Sequence, residues 1–315
     1  MLIGFLKRVY HATVDYVKSL GHVKSYRGNF MRLSWWKYWS TVFPLMLPRY
    51  WKAYNGVLKK TLEYPDVTAL PAVEPVDRMR VWVMWWQGEE GMPALVRRTF
   101  ASIKEHSLGM EVVLISRESV GKYVKLPKHI AGRIESGSVT FTTLSDYVRF
   151  YLLSNYGGVW VDSTMLFTQD MPRDVIEREF FTIKSVRTAS KVDVSRSRWN
   201  GQFLSATVRH YRVFEMMRLL WESYWREFDW NLEYFTIDHL VSIVYDKDSV
   251  VREVIDNVEP SNEELYQLMS MLNETFSAQT WKEIVDSQPC HKLSYKVKAN
   301  DNKESYLHKL ERGEI

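Results

Sequence analysis

Residues 144–170 read LSDYVRFYLLSNYGGVWVDSTMLFTQD, and their pattern decides the fold that we predict for the whole chain. Apolar residues recur in the first half at spacings of three and four, which predicts a helix with one buried stripe: Leu144, Tyr147, Val148, Tyr151 and Leu152. Ser145 is a suitable N-cap, because its hydroxyl can accept a hydrogen bond from a free N–H of the first turn. Gly157 and Gly158 predict the end of the helix, because glycine adopts left-handed backbone angles without steric cost.

The second half of the stretch predicts a buried strand that ends in a carboxylate. Val159, Trp160 and Val161 are β-branched or aromatic and follow one another directly, as in strands covered on both faces. Asp162 then interrupts the apolar run. A carboxylate at the end of a buried strand is costly to desolvate unless cations or hydrogen-bond donors meet it there. Asp162 is therefore the first candidate for a functional site.

The preceding part of the chain predicts an α/β core with a mostly parallel sheet flanked by helices. Residues 81–85 and 111–116 are apolar runs typical of buried strands. Between them, residues 93–106 predict a helix that Pro93 begins. A strand, helix, strand order with short connections indicates parallel pairing through a right-handed crossover.

Ligands of such sheets bind beyond the carboxyl ends of the strands. We expect Trp85, Trp86 and Asp162 to lie at that edge. Other predicted elements are a strand at 139–142, a strand at 180–184, a helix at 211–228, and helices at 238–245 and 262–272.

Size and composition restrict the class of protein. With 315 residues and 46% apolar residues, the chain can form one large domain, or one domain with an appendage. The single cysteine, Cys290, excludes an intrachain disulfide framework and is expected in a reducing compartment. No stretch approaches the roughly 20 apolar residues that cross a bilayer, and Lys7 and Arg8 interrupt the N-terminus before a secretory signal forms. We therefore expect a cytoplasmic location.

The first 60 residues differ in charge from the rest. They contain eleven Lys or Arg and one acid, Asp15, so they carry +10, and because the whole chain carries +4, the remainder carries −6. With their many Trp and Tyr residues they suit an anionic membrane surface, where each Lys or Arg contributes about 1 kcal/mol. We expect peripheral association with the inner face of the cytoplasmic membrane through residues 1–60. The alternative is a helical extension that packs on its own domain. No nucleic-acid motif accompanies the charge, so no nucleic-acid partner is expected.

Two hydroxyl side chains, Ser163 and Thr164, follow Asp162. Mg²⁺ and Mn²⁺ prefer oxygen ligands and are commonly held by one or two protein groups together with substrate phosphates. A strand followed by Asp, any residue and Thr also partly matches phosphatase-like sites with two aspartates, but Thr164 replaces their second aspartate. The pattern becomes specific in combination with the helix and the glycine turn that precede it.

The combined pattern SD-x-x-R-x-x-x-L-x-x-x-GG-x-W-x-D, residues 145–162, resembles the donor-binding core of glycosyltransferases of the GT-A fold. More narrowly, the chain resembles capsular polysaccharide synthesis proteins related to glycosyltransferase family 32, which includes α-1,6-mannosyltransferase-like enzymes. The resemblance extends from about residue 80 to 296 and includes the segments WWQGEEGMP, WNGQF, YFTIDH and HKLSYK. It implies a GT-A-like, Rossmann-like domain. The predicted organisation is a basic helical extension at 1–64, a linker at 65–80, this domain at 81–300 and a charged tail at 301–315.

The resemblance also implies a role for individual residues. Asp162 is the carboxylate of a DxD-type motif that meets a metal and the nucleotide, and Asp146 and Arg149 hydrogen-bond the donor sugar. Trp85 or Trp86 packs on the base. The implied catalytic residues are Asp146, Arg149, Asp162 and Asp238, the last on the acceptor side. The implied donor-binding set adds Trp85, Trp86, Gln87, Gly157 and Gly158. The implied ligands of Mn²⁺ or Mg²⁺ are Asp162, Thr164 and His291.

The implied activity is transfer of a sugar from a nucleotide-sugar to a capsular or surface polysaccharide, or to a lipid-linked oligosaccharide, with retention of configuration. Thr164 stands where the family motif has a second carboxylate, so either Asp162 acts with His291 and phosphate oxygens or metal dependence is weak. Arg149 can alternatively pair with Asp146 across one helical turn, and Asp238 can alternatively cap the helix that follows it. The alternative functions are a non-catalytic nucleotide-sugar-binding subunit of an assembly complex and a membrane-surface scaffold.

Overall fold

The computed structural model describes residues 2–20, 30–185 and 194–315. Side chains are described for residues 4–20, 32–185 and 194–315. Within these ranges the central sheet has five strands in the order β3-β2-β4-β7-β6, and all but β7 run in the same direction. The mostly parallel α/β sheet that we predicted is confirmed. The strands of the described chain are β1 Glu74–Pro75, β2 Arg80–Met84, β3 Glu111–Ile115, β4 Gly158–Val161, β5 Met165–Phe167, β6 Phe181–Thr182, β7 Phe203–Ala206, β8 Val208–Arg209 and β9 Cys290–Lys292.

Helices cover both faces of this sheet, as predicted. On one face, α7 and α9 pack with α10, and on the other α4 packs near β5. The helices of the described chain are α1 Leu2–Leu20, α2 Phe30–Val42, α3 Leu47–Thr61, α4 Ala94–Glu105, α5 Val120–Tyr123, α6 Lys128–Glu135, α7 Phe141–Tyr156, α8 Asp174–Glu177, α9 Arg212–Glu227, α10 Thr236–Lys247, α11 Ser249–Asp256, α12 Gln267–Met271, α13 Ala278–Ser287 and α14 Tyr306–Arg312.

Strand β2 illustrates how residue alternation builds the two layers. Its Val81 and Val83 side chains enter the core on the α4 side, whereas Trp82 enters the core formed with α7 and α9. Successive side chains of a strand point to opposite faces, so both faces need apolar residues when both are covered. For this reason the sequence of β2 is a continuous apolar run rather than an alternating one.

Helix α7 begins earlier than the sequence suggested. Thr140, not Ser145, is the N-cap, because its side chain accepts a hydrogen bond from the N–H of Thr143 at 3.2 Å. Ser145 lies inside the helix and donates to the carbonyl of Thr142 at 2.6 Å. The strand predicted at 139–142 is therefore wrong: Phe141 and Thr142 form the first turn of α7.

The glycine turn between α7 and β4 matches the prediction. Gly157 ends the helix with φ of +63°, and Gly158 opens the strand with φ of +91°. A Cβ on Gly157 would lie 2.4 Å from Val76, and one on Gly158 would lie 2.5 Å from the carbonyl oxygen of Arg80. Because both the backbone angles and the close approach exclude a side chain, this turn fixes where β4 enters the sheet.

The basic N-terminal residues form helices that reach the core through α3. Tyr54 of α3 is fully buried, and its hydroxyl lies 2.8 Å from the hydroxyl of Thr236 at the start of α10. Lys37 of α2 donates to Glu233 at 2.7 Å. The segment 65–80, expected as a linker, contains a turn capped by Asp66 and strand β1, which pairs with β8.

The C-terminal part of the chain returns to the sheet edge. Strand β9 pairs antiparallel with β5, so that Lys292 lies opposite Met165 and His291 opposite Leu166. Helix α10 starts at Thr236 with Phe235 as its N-cap residue, and α12 is shorter than the predicted helix at 262–272. Among the helices of the described residues, none combines the length and the hydrophobicity needed to cross a bilayer.

Candidate functional site

Asp162 follows β4 at the edge of the sheet where the parallel strands end. Its Oδ1 accepts hydrogen bonds from Nε1 of Trp160 at 3.0 Å and from Arg149 at 3.3 Å, and its Oδ2 accepts one from Nζ of Lys292 at 3.0 Å. Burial alone would raise the pKa of Asp162, but the positive charges of Lys292 and Arg149 outweigh it and hold the pKa below its usual value. Asp162 is therefore ionised at neutral pH and joins two cations.

Arg149 is held through its two terminal nitrogens. It is 5% exposed, and Nη2 forms an ion pair with Asp146 at 3.1 Å and donates a hydrogen bond to Asp162 at 3.3 Å. The other terminal nitrogen donates to the carbonyl of Gly201 at 2.5 Å. The guanidinium carbon also lies 5.1 Å from the centre of the Trp160 ring. A buried arginine needs such partners, because an unpaired buried charge is strongly destabilising.

Asp146 lies one helical turn before Arg149 and is 6% exposed. Burial raises the pKa of Asp146 to about 7, opposed by the charge of Arg149 and reinforced by the carboxylates of Asp162 and Asp238. Near neutral pH the group therefore exchanges between a charged and a neutral form. A carboxyl group in this state can accept a hydrogen bond or donate one. The alternative that Arg149 pairs with Asp146 alone is incomplete, since the same guanidinium also reaches Asp162.

Gly201 makes room for Arg149. A Cβ at this position would lie 2.7 Å from the Nη1 atom of Arg149 and 3.1 Å from Ile237. The resemblance included the WNGQF segment but implied no role for this glycine. The available signal was the glycine itself, because glycine is favoured where another group closely approaches the backbone.

Lys292 is the main site residue that the sequence reasoning missed. Its Nζ donates to Oδ2 of Asp162 at 3.0 Å and to the hydroxyl of Thr164 at 2.6 Å. It lies in the HKLSYK segment, directly after His291. Adjacent residues of a strand point to opposite faces, so only one of the two can face Asp162. In this structure that residue is Lys292.

His291 occupies the other face of β9 and is fully buried. Its ring nitrogens lie 3.4 Å from the hydroxyl of Thr168 and 3.2 Å from the side-chain nitrogen of Gln288. Burial lowers the pKa of His291 to about 4, so the ring is neutral. The structure does not bring the ring to Asp162, where we had placed it as a metal ligand.

The metal expected from the sequence can be tested against these residues. Within the described ranges, no three His, Cys, Asp or Glu side chains are grouped to hold a metal ion. Asp162 and Thr164 do converge, but the Nζ atom of Lys292 lies between their oxygens, at 3.0 Å from Asp162 and 2.6 Å from Thr164. A divalent ion bridging these oxygens would displace the ammonium and approach Arg149. The residues fit an ammonium and not a divalent ion. The expected Mn²⁺ or Mg²⁺ stays a prediction that this geometry does not favour.

Trp85 and Trp86 follow β2, which is the parallel neighbour of β4. They pack on opposite sides of the sheet: Trp85 meets Tyr295 edge-on at 5.3 Å, and Trp86 stacks on Phe141 at 5.4 Å. Both are half-buried, and Gln87 beside them is exposed. The structure thus places all three at the edge where Asp162 lies.

The two glycines that we assigned to donor binding lie elsewhere. Gly157 and Gly158 precede β4, whereas Asp162 follows it. At about 3.3 Å per residue the strand separates the two ends by roughly 13 Å. The two glycines therefore do not lie beside the charged side chains around Asp162. They form the turn before β4 and so determine where this strand, and Asp162 after it, lies in the sheet.

A known protein family matches most of this chain. Residues 58–310 match the family described as capsular polysaccharide synthesis protein. The chain belongs to the capsular polysaccharide synthesis protein family. The matched range includes all four residues of the charged cluster, Asp146, Arg149, Asp162 and Lys292. Helices α1 and α2 lie outside the range that matches the family.

Among solved structures, the chain is similar to the PaToxG glycosyltransferase, with 11% sequence identity and a TM-score of 0.35 over 77% of this chain and 96% of that one. No curated protein matches the sequence.

A cleft of about 580 Å³ lies beside the charged cluster. Gly201, which binds Arg149, lines the cleft together with Asp238, Trp199 and Tyr266. Asp238 lies in the first turn of α10, and its Oδ1 accepts a hydrogen bond from Nε1 of Trp199 at 2.9 Å. The alternative that Asp238 caps this helix is wrong, because Phe235 is in the N-cap position. The volume is in the range of small-molecule sites.

Proposed function

We propose that this protein transfers a sugar from a nucleotide-sugar to a capsular or surface polysaccharide, or to a lipid-linked oligosaccharide. The observation that carries the proposal is the cluster of Asp146, Arg149, Asp162 and Lys292 at the carboxyl edge of the parallel strands. Family membership supports it, since polysaccharide synthesis requires glycosidic bonds to be made. The motif that spans residues 145–162 supports it as well.

The cluster has the chemical groups that such a donor requires. A nucleotide-sugar presents sugar hydroxyls and a diphosphate, which bears the negative charge. Asp146 can accept from or donate to hydroxyls, and Arg149 lies between it and Asp162. Arg149 and Lys292 place two positive charges around Asp162, where a diphosphate can be stabilised as it leaves. Trp85 with Tyr295 offers an aromatic surface for the base at the same edge.

We assign the acceptor to the cleft beside the cluster. An exposed aromatic side chain such as Tyr266 suits the face of a sugar ring, and Asp238 can accept hydrogen bonds from sugar hydroxyls. The glycosidic carbon exchanges its bond to phosphate oxygen for one to the acceptor oxygen. The leaving diphosphate keeps the electron pair and takes the acceptor proton, so retention of configuration needs no base from the protein. The enzyme positions the two substrates and stabilises the leaving charge.

Donor binding tests this proposal. Thermal unfolding is followed with a panel of UDP- and GDP-sugars, because a ligand that binds the folded state raises its stability. We expect stabilisation by at least one member and its loss in Asp162→Asn. Asp170→Asn is the matched control, since Asp170 ends the same stretch but its side chain is 69% exposed. Equal stabilisation of the wild type and Asp162→Asn would contradict the proposal.

The second candidate, a binding subunit without catalysis, makes a different prediction. It shares the donor-binding cluster, so it also shows stabilisation by a nucleotide-sugar. Slow hydrolysis of the stabilising donor separates the two, because an active transferase releases the nucleoside diphosphate when water takes the place of the acceptor. Binding without any release over hours would favour the binding subunit.

We further propose that the N-terminal helices attach the enzyme to an anionic membrane surface. Helices α1 and α2 run antiparallel, with Phe5 6.4 Å from Phe43 and Tyr16 6.3 Å from Trp35. The end of this hairpin exposes a group of large apolar residues, which we name the apolar tip: Phe5, Leu6, Phe43 and Leu45. Leu45 is 96% exposed. Basic residues follow the tip in both α1 and α3, which suits anionic lipid headgroups: Lys7, Arg8, Arg49 and Lys52.

Flotation with vesicles tests the membrane proposal. We expect the protein to float with vesicles that contain phosphatidylglycerol and to float less with pure phosphatidylcholine. Leu45→Asp should reduce flotation, whereas Val250→Asp should not, because Val250 is a partly exposed apolar residue on α11, outside the apolar tip.

The scaffold alternative predicts that activity in solution disappears when α1 and α2 are removed. The enzyme proposal predicts that soluble acceptors are still used.

A further inference from the structure

We propose that Lys292 takes the place of a divalent cation at this site, so that the nucleoside diphosphate of the donor is bound by Lys292 and Arg149 without a metal. This inference rests on the proposed function. It starts from the disagreement between the DxD-type motif, which implies a metal, and the side chains that surround Asp162.

The position of Lys292 is fixed by the backbone around it. Its own N–H donates to the carbonyl of Leu265 at 2.8 Å, and the next N–H, of Leu293, donates to the carbonyl of Thr164 at 3.0 Å. Strand β9 therefore runs beside the segment 162–164 in a set register. The Lys292 side chain is 14% exposed, so it lies within the site rather than on the outer surface.

The oxygens that would bind a metal instead receive the ammonium. Oδ2 of Asp162 and the hydroxyl of Thr164 are both acceptors for Nζ of Lys292. A threonine at this position provides a neutral oxygen, which is a weak ligand for a hard divalent ion and a suitable acceptor for an ammonium. The presence of Lys292 therefore accounts for Thr164. Where the ammonium of Lys292 already supplies the positive charge, a hydroxyl can replace the second carboxylate of the motif.

Lys292 has a hydrogen-bond donor left for a diphosphate. An ammonium has three donors, and the described residues supply Lys292 with two acceptors. Arg149 contributes a second positive charge 3.3 Å from the same carboxylate. One ionised carboxylate between two cations leaves an excess of positive charge, and burial weakens the opposing charge of Asp146. Lysine is a common phosphate ligand and acts there as a point charge.

Titration of free UDP and GDP tests the inference in the presence of EDTA. We expect wild-type protein to bind one of them in EDTA, with an affinity that added Mn²⁺ changes less than threefold. Lys292→Met keeps the length of the side chain and removes its charge, and should weaken binding by about 10- to 100-fold, as for a lost hydrogen bond between charged groups. Lys292→Arg should retain part of the affinity. Lys282→Met is the matched control, because Lys282 is an exposed lysine in the same third of the chain.

The possible outcomes separate this inference from the proposed function. Binding that disappears in EDTA and returns with Mn²⁺ would overturn the inference and leave the proposed function standing. Wild-type affinity for the nucleotide in a folded Lys292→Met variant would also overturn the inference and leave the proposed function standing. Lys292 would then only connect β9 to Asp162 through an ion pair. Absence of nucleotide binding in all conditions, together with no effect of nucleotide-sugars on stability, would overturn both.

Discussion

Replacement of Gly201 by alanine probes how tightly the charged cluster is packed. The new Cβ would lie 2.7 Å from Nη1 of Arg149, while ordinary contacts begin at 3.4 Å, so the guanidinium must retreat by about 0.7 Å. Its Nη2 atom lies 3.1 Å from Asp146 and 3.3 Å from Asp162. Because the guanidinium is planar and rigid, a shift of Nη1 also moves Nη2 and is expected to weaken at least one of these two contacts. Loss of a hydrogen bond to a charged group costs about 1.5–3 kcal/mol.

We therefore expect Gly201→Ala to lower the free energy of unfolding by about 1.5–3 kcal/mol and to weaken donor binding by about 10- to 100-fold. Denaturant unfolding gives the first value and titration with the stabilising nucleotide-sugar gives the second. Gly132→Ala is the control, because Gly132 lies within α6 with no atom within 4 Å of the added Cβ. That change should stabilise the protein by about 0.5–1 kcal/mol. Wild-type stability and donor affinity in Gly201→Ala would refute the account of how Arg149 is held.

Two further predictions concern how His239 and Asp146 make the free energy of unfolding depend on pH. Burial lowers the pKa of His239 to about 4, and neither ring nitrogen has a hydrogen-bond partner among the described residues. The stability that the neutral, buried ring contributes is therefore complete above pH 6.5 and is lost as the pH falls toward 4. His239→Phe should reduce this acid loss by at most about 1.4 kcal/mol per pH unit in unfolding experiments, and an unchanged slope would contradict it. Asp146 acts with the opposite sign. Its pKa is raised to about 7, so its contribution is full below about pH 4 and is lost as the pH rises to about 7. Asp146→Asn should therefore remove a decline in unfolding free energy over that window, and a decline equal to that of the wild type would contradict the assignment.

The core of the fold was predictable because it depends on local patterns. Hydrophobic spacing identified α7, and the glycine pair placed its end. The apolar run before Asp162 identified β4 and the carboxylate that follows it. The start of α7 was not predictable in the same way. Residues 139–142 alternate like a strand, and the capping bond of Thr140 is visible only once the chain turns there.

The site was predictable where its residues are neighbours in sequence, and not where they meet through tertiary contacts. Asp146, Arg149 and Asp162 lie within 17 residues of one another and share one motif. Lys292 is 130 residues from Asp162, and the pairing of β5 with β9 decides that it, rather than His291, faces the carboxylate. A pairing between two strands of three residues each leaves little trace in the sequence.

The central claim is that the cluster around Asp162 binds and activates a nucleotide-sugar. Release of nucleoside diphosphate from the donor that stabilises the protein measures this directly. We predict release by the wild type and by Asp170→Asn, and a loss of about 100-fold or more in Asp162→Asn. Asp162 pairs with both Lys292 and Arg149, and loss of a positioned group that stabilises charge in an active site costs about 10²–10³ in rate. Equal release by folded Asp162→Asn and the wild type would contradict the claim.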